Sequence, residues 1–317
     1  MGIAGVLRPL LRRVADCARW PTCSEKGGWP TTMSTDSFPF TVGDFECMAL
    51  SDGVFAYPPQ SFFANAPKDR LEQALRDHRI QPGPMSVPWT CLFVNTGQHR
   101  VLVDTGGGPG SPPSAGNLLR NLQAEGIEAA SVDRVILTHG HPDHIGGNTD
   151  AEGWLAFPNA RYVMWEEEWQ FWTGEPNLSA LEVDEGFKQI MLTLARANLP
   201  PIQGQLELID RETEIVPGIR AIPAPGHTLG HTALAVCSGK DEFLYLADAV
   251  LHPIHLQAPG WYPAFDLMRE EAETTRRGLL RRAAADRALV LFSHFPFPGL
   301  GHVFKMEDTW QWQPIGS

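Results

Sequence analysis

The segment Thr138-His139-Gly140-His141-Pro142-Asp143-His144-Ile145-Gly146-Gly147 constrains this chain more than any other stretch. Four side chains able to bind a metal fall within six residues, His139 to His144. His139 and His141 are two apart, so an extended backbone turns both to the same side. Pro142 then breaks regular structure, and Asp143 and His144 follow it in a new direction. One short segment thus offers two ligand pairs aimed two ways, which suits two metal ions side by side. Imidazole with carboxylate is the donor set of catalytic zinc, with manganese, cobalt or iron as rivals.

The apolar run Arg134–Leu137 leads straight into this cluster and reads as a strand. Phe45–Gly53, Thr90–Thr96, Arg100–Asp104 and Arg161–Met164 also read as strands, as do five short runs between Leu206 and Ala247. Helical spacing marks Phe62–Ile80, Ser114–Glu125, Glu166–Thr173, Ser179–Ala197 and Phe265–Ala285, and Ala288–Ser293 is a buried-type strand. This order predicts sheets with helices packed outside them. No repeat or linker divides the chain.

Of 317 residues, 43% are hydrophobic and 20% charged, which allows a sizeable core and excludes bulk disorder. The formal charge of −12 argues against nucleic acid or an anionic membrane as partner. No run approaches the ~20 apolar residues of a membrane span. Five cysteines at scattered spacings, with no C-x-x-C pair, predict unpaired thiols in a reducing, cytoplasmic setting. Residues 1–32 carry five basic against two acidic side chains, a net of +3 that leaves −15 for the rest. We expect 1–32 to be an extension without a fold of its own, Met33 a plausible start, and 33–317 a single domain.

The histidine segment resembles the signature of the metallo-β-lactamase superfamily. The rest of that pattern follows in order: Gly226-His227-Thr228-Leu229-Gly230-His231, then Leu246-Ala247-Asp248-Ala249, then Ser293-His294-Phe295, with Asp104 ahead of them in Val103-Asp104-Thr105-Gly106. The resemblance implies an α+β fold, a four-layer αβ/βα sandwich with its ligands on loops at one edge of two facing sheets. It implies one metal held by His139, His141 and His227, another by Asp143, His144 and His294, and Asp248 bridging them. Asp104 is expected to orient a ligand histidine, and His231 to be structural.

Several strings resemble the branch that contains methyl parathion hydrolase and acyl-homoserine lactonases. They include Gly43-Asp44-Phe45-Glu46, Leu50-Ser51-Asp52-Gly53, Ala156-Phe157-Pro158-Asn159-Ala160 and Phe297-Pro298-Gly299-Leu300-Gly301-His302. Lactonases of the group usually place a tyrosine three residues after the bridging aspartate, where this chain has Leu251. The resemblance implies a dinuclear zinc hydrolase whose metal-bridging hydroxide opens lactones or related esters, with Asp143 relaying a proton and Asp248 bridging. An organophosphate triesterase is the alternative, and a mononuclear-iron sulfur dioxygenase a remote one. Trp172, Leu251, His252, Phe295 and His302 are the candidate pocket residues, and a homodimer is the expectation by analogy. The glycine run Gly106–Gly110 lacks a Gly-Lys-Ser/Thr ending and reads as a flexible turn near the site.

Overall fold

A computed structural model describes residues 35–315; the expected extension 1–32 lies outside the described residues. Among the described residues fourteen strands form two seven-stranded sheets in which every sheet neighbour is also a sequence neighbour. The first sheet runs β1 (Ser37–Val42), β2 (Phe45–Tyr57), β3 (Met85–Asn95), β4 (Arg100–Val103), β5 (Arg134–Ile136), β6 (Arg161–Trp165) and β7 (Leu206–Ile209). The second runs β8 (Thr213–Val216), β9 (Ile219–Pro223), β10 (Thr232–Ser238), β11 (Asp241–Tyr245), β12 (Leu289–Leu291), β13 (Leu300–Lys305) and β14 (Trp310–Pro314). The first sheet is antiparallel as far as β4 and parallel from β4 to β7. In the second, only β11 and β12 pair in parallel.

Period-two patterning explains the facing of the sheets. Cys47 and Ala49, Val101 and Val103, Leu234 and Val236, and Phe243 and Tyr245 turn alternate side chains into one shared core between the sheets. On the far side of the second sheet Ala233, Ala235, Leu244 and Val290 pack on Leu279, Leu280 and Ala283.

Eight α-helices accompany the sheets among the described residues: α1 (Pro59–Phe62), α2 (Lys68–Asp77), α3 (Leu118–Ala124), α4 (Pro142–Ile145), α5 (Glu166–Thr173), α6 (Glu185–Asn198), α7 (Ile254–Gln257) and α8 (Arg269–Asp286). Four are shorter than the spacing predicts: α3 begins at Leu118 and α8 at Arg269, each four residues late, and two more differ further. The run Phe62–Ile80 breaks at Pro67, because a proline disfavours helical backbone in the residue before it. Helix α6 begins only at Glu185, where the Asp184 carboxylate caps it by accepting the Phe187 N–H at 2.9 Å. The strands β1, β13 and β14 lie outside the runs read from sequence. None of the described helices is long and apolar enough to cross a membrane. Cys47, Cys91 and Cys237 are free thiols.

The sandwich fixes where the site sits. The histidine segment follows β5, His227 follows β9, Asp248 follows β11 and His294 follows β12. Each ligand candidate therefore lies just beyond the C-terminal end of a strand.

Candidate metal centre

The seven candidates gather into two groups. His139, His141, His227 and Asp248 form one, and Asp143, His144 and His294 the other. In the first, His139 Nε2 and His227 Nε2 lie 3.0 and 2.9 Å from His141 Nδ1. The Asp248 Oδ2 lies 3.3 Å from His227 Nε2 and 3.7 Å from His139 Nε2. In the second, Asp143 Oδ2 stands 3.6 Å from His144 Nε2 and 3.4 Å from His294 Nε2. Asp248 reaches this group too, with Oδ1 3.3 Å from His144 Nε2 and Oδ2 3.1 Å from His294 Nε2.

These groups fit divalent metal ions. Four donors held tetrahedrally at ~2.0–2.1 Å from an ion stand roughly 3.3 Å apart, the spacing seen here. Three imidazole nitrogens pointed at one another cannot satisfy themselves with their own protons. Burial holds His139 and His141 well below the usual imidazole range, in the neutral form a metal requires, while in His144, His227 and His294 the same burial is outweighed by neighbouring carboxylates, Asp248 among them, which push these rings up. His144 Nε2 and Asp248 Oδ1 are buried with no hydrogen-bond partner in the protein.

In His144, His294 and His227 the other ring nitrogen is held by an oxygen acceptor, which turns the donor nitrogen inward, whereas the Nε2 of His141 is buried without a partner. His144 Nδ1 meets Asp104 Oδ2 at 2.8 Å, and His294 Nδ1 meets the Pro88 carbonyl at 2.9 Å. His227 Nδ1 meets Asp266 Oδ1 at 2.8 Å. Asp104 also accepts from the Thr138 N–H, the Thr138 hydroxyl and the Tyr245 hydroxyl. It occupies the left-handed region at φ 61°, and Ala247, just before Asp248, does so at φ 42°. Such strained backbone concentrates at functional sites. His231 fixes the other aspartate: its Nδ1 donates to the Ala224 carbonyl and its Nε2 accepts the Asp248 N–H at 3.1 Å.

The most informative residue missed in the sequence is Glu168 of α5, which is fully buried. One carboxylate oxygen accepts the Gly140 N–H at 2.9 Å and the Trp172 indole N–H at 2.7 Å. The other accepts the Gly230 N–H at 2.8 Å. Gly140 lies between His139 and His141, and Gly230 lies in the His227 loop, so one side chain clasps both halves of the first group. A side chain at either glycine would collide with this clasp, since a Cβ at Gly140 would stand 2.2 Å from Trp172 and one at Gly230 2.7 Å from Glu168. Asp266 and Arg276 were missed as well. Arg276 of α8 is buried and donates to the carbonyls of Ala249, Pro259 and Trp261, with Asp266 3.4 Å away. No sequence spacing signals either clasp, because the acceptors and donors are backbone groups of distant loops.

Over the two groups opens a narrow cavity of about 30 Å³, lined by five of the ligand candidates together with Tyr57, Phe62, Met191, Leu251 and Phe265, among others. It shares Tyr57, Pro142, Asp143 and Phe187 with an apolar cavity of about 440 Å³ walled by Phe55, Trp89, Ile190 and Leu194. Of the five expected pocket residues only Leu251 lines it. Trp172 is the main correction: it packs against His141 with ring centroids 5.6 Å apart and spends its N–H on Glu168. Phe295 stacks on Phe292 in the core beneath the second sheet. His302 lies on β13 and meets the Ala288 carbonyl. His252 packs on Phe63 and accepts the Ile254 N–H. His255, also unassigned, hydrogen-bonds the Phe62 carbonyl.

The glycine run is pinned rather than loose. The Gly107 N–H donates to buried Asp52, and Gly108, at φ 64°, lies so close to Gly146 that a Cβ would meet its carbonyl oxygen at 2.1 Å.

The sequence profile described as "Metallo-beta-lactamase superfamily" matches residues 88–294, which contain every one of these ligand candidates. The chain belongs to the metallo-β-lactamase superfamily. Within it, the chain is 24% identical over 258 residues to an N-acyl homoserine lactonase of a Bacillus species, covering 74% of this chain and 92% of the relative. A probable metallo-hydrolase of Mycobacterium tuberculosis is 30% identical over 194 residues, 51% of this chain and 56% of that one. Among solved structures, the dizinc quorum-quenching lactonase AidC, in complex with a product, superposes with a TM-score of 0.84 at 28% identity, covering 89% of this chain and 98% of AidC. The superfamily hydrolase AbOPH shares the fold, with a TM-score of 0.83 at 24% identity over 90% of this chain and 99% of that one. These relatives are hydrolases, and the superfamily's α+β sandwich is the fold described above.

Proposed function

We propose that this protein is a dinuclear metal hydrolase, loaded with zinc, that opens lactones bearing an apolar acyl chain. The observation that carries the reading is the reach of Asp248 to both donor groups, within 3.3 Å of His227, His144 and His294, beneath a cavity that borders an apolar one. N-acyl homoserine lactonases among the relatives and the dizinc lactonase AidC support the substrate class and the metal.

His139, His141 and His227 would hold one ion, Asp143, His144 and His294 the other, and Asp248 both. Divalent ions held there supply Lewis acidity and a nucleophile at neutral pH. The protein's own groups do the rest. Asp104, Asp266 and the Pro88 carbonyl keep three ligand rings in the tautomer that points its lone pair inward. The Asp143 carboxyl, bordering both cavities, is placed to pass a proton to the ring oxygen as its bond to the acyl carbon breaks. The apolar walls exclude water from the acyl chain and orient it. We place the protein in a reducing cytoplasm, in keeping with its free thiols.

The test is kcat/KM on N-acyl homoserine lactones of graded chain length, beside aryl esters and phosphotriesters, with metal removed by chelation and restored. Lactone opening that returns with two equivalents of zinc is the expected result. A metal-replete protein inert towards every lactone, or a His139→Ala variant as active as the parent, overturns the reading.

A further inference from the structure

Twelve side chains line the cavity over the two ligand groups. Five belong to those groups and six are apolar. The twelfth is Tyr57, the last residue of β2, and its hydroxyl is the one hydrogen-bond donor in that lining outside the ligand set. Three aromatic rings fix its orientation. Phe55, Phe62 and Phe265 meet the Tyr57 ring edge-on, with centroids 4.7, 5.3 and 5.8 Å away. Among the described residues the structure gives its O–H no acceptor. Trp89, which lines the adjoining cavity with it, carries only an N–H and can only donate. A half-buried phenol with a packed ring and an unclaimed proton is free to donate to an acceptor on a ligand that displaces water from the cavity.

We infer that Tyr57 is a catalytic residue: its hydroxyl donates a hydrogen bond to the substrate carbonyl oxygen as that oxygen gains negative charge. The phenol keeps its proton throughout, and no bond to it forms or breaks. This rests on the hydrolase reading above. The donor comes from the end of β2, far in sequence from Leu251, the position at which the resembling lactonases usually carry a tyrosine.

Tyr57→Phe keeps the ring and removes only the donor. Its kcat is measured on an N-acyl homoserine lactone and on a p-nitrophenyl ester of a fatty acid, which has neither an amide nor a poor leaving group. A loss of about 100-fold in kcat on both, with KM changed less than about threefold and zinc content unchanged, is expected for a lost donor to a developing oxyanion. A loss confined to the lactone would assign the hydroxyl to the amide or to the leaving oxygen and overturn the inference. So would an unchanged kcat, or a rise in KM alone. Wild-type activity on the ester without activity on lactones sinks the substrate reading and still tests Tyr57 on the ester. If Tyr57→Phe loses metal or melts lower, 3-fluorotyrosine at position 57 changes only the acidity of the hydroxyl, and an unaltered kcat then overturns the inference.

Discussion

The two ligand groups share Asp248 and little else. The first, around His139, His141 and His227, is braced from behind: its loops are clasped by Glu168, and His227 is backed by Asp266 beside Arg276, while His141 and His227 still border the cavity. The second, around Asp143, His144 and His294, is held mainly by Asp104 and the Pro88 carbonyl, and its aspartate side chain remains 13% exposed towards the cavities. From this difference we propose different work for them: the braced, histidine-rich group suits tight retention of an ion, while the group with an accessible carboxylate suits contact with substrate and proton transfer.

The largest effect should come from the shared residue. Asp248→Ala removes a donor from both groups, and loss of several kcal/mol of charge stabilisation lowers kcat on the order of 10³-fold or more. Metal analysis should find both ions weakened. Retention of one ion at parental affinity would show that Asp248 serves one group only.

Next come two variants that should split the groups. Asp104→Asn frees the His144 ring and is expected to weaken the ion at the second group by about 100-fold. Glu168→Gln turns an acceptor into a donor facing the Gly230 or Gly140 N–H, and is expected to weaken the ion at the first group by about 10-fold or more. Competition with a chromophoric chelator measures both affinities. Equal weakening at both groups in either variant would break the comparison.

The smallest effect should come from Trp172→Phe. It deletes one of three hydrogen bonds to Glu168, at a cost of about 1 kcal/mol in stability by denaturant titration, and leaves the cavity walls untouched. Chain-length preference among lactones should stay the same. A changed preference would return Trp172 to the substrate wall and blur the line between clasp and pocket.

How much of this was legible depends on what carries each signal. Four ligand candidates announce themselves because they crowd into six residues, whereas His227, Asp248 and His294, like Asp104, were legible through the family resemblance of their local strings. Glu168 was not: in Glu166-Glu167-Glu168 it looks like one charge of a solvated helix face, yet it alone of the three is buried. The resemblance put Trp172 in the pocket wall, and Trp172 instead packs against a ligand loop.

The sequence by itself determined the crowded histidine segment and most of the strands, since alternation and local spacing are properties of neighbouring residues, and its motifs carried the resemblance that implied the family, the two-sheet sandwich and the seven ligand candidates. Only the tertiary structure decided which groups hold the ligands still and which face the substrate. Glu168, Asp266, Arg276 and Tyr57 act across loops far apart in the chain, often on backbone N–H and C=O groups that every residue possesses. Such contacts leave no pattern in the order of side chains, and exist only once the two sheets have packed.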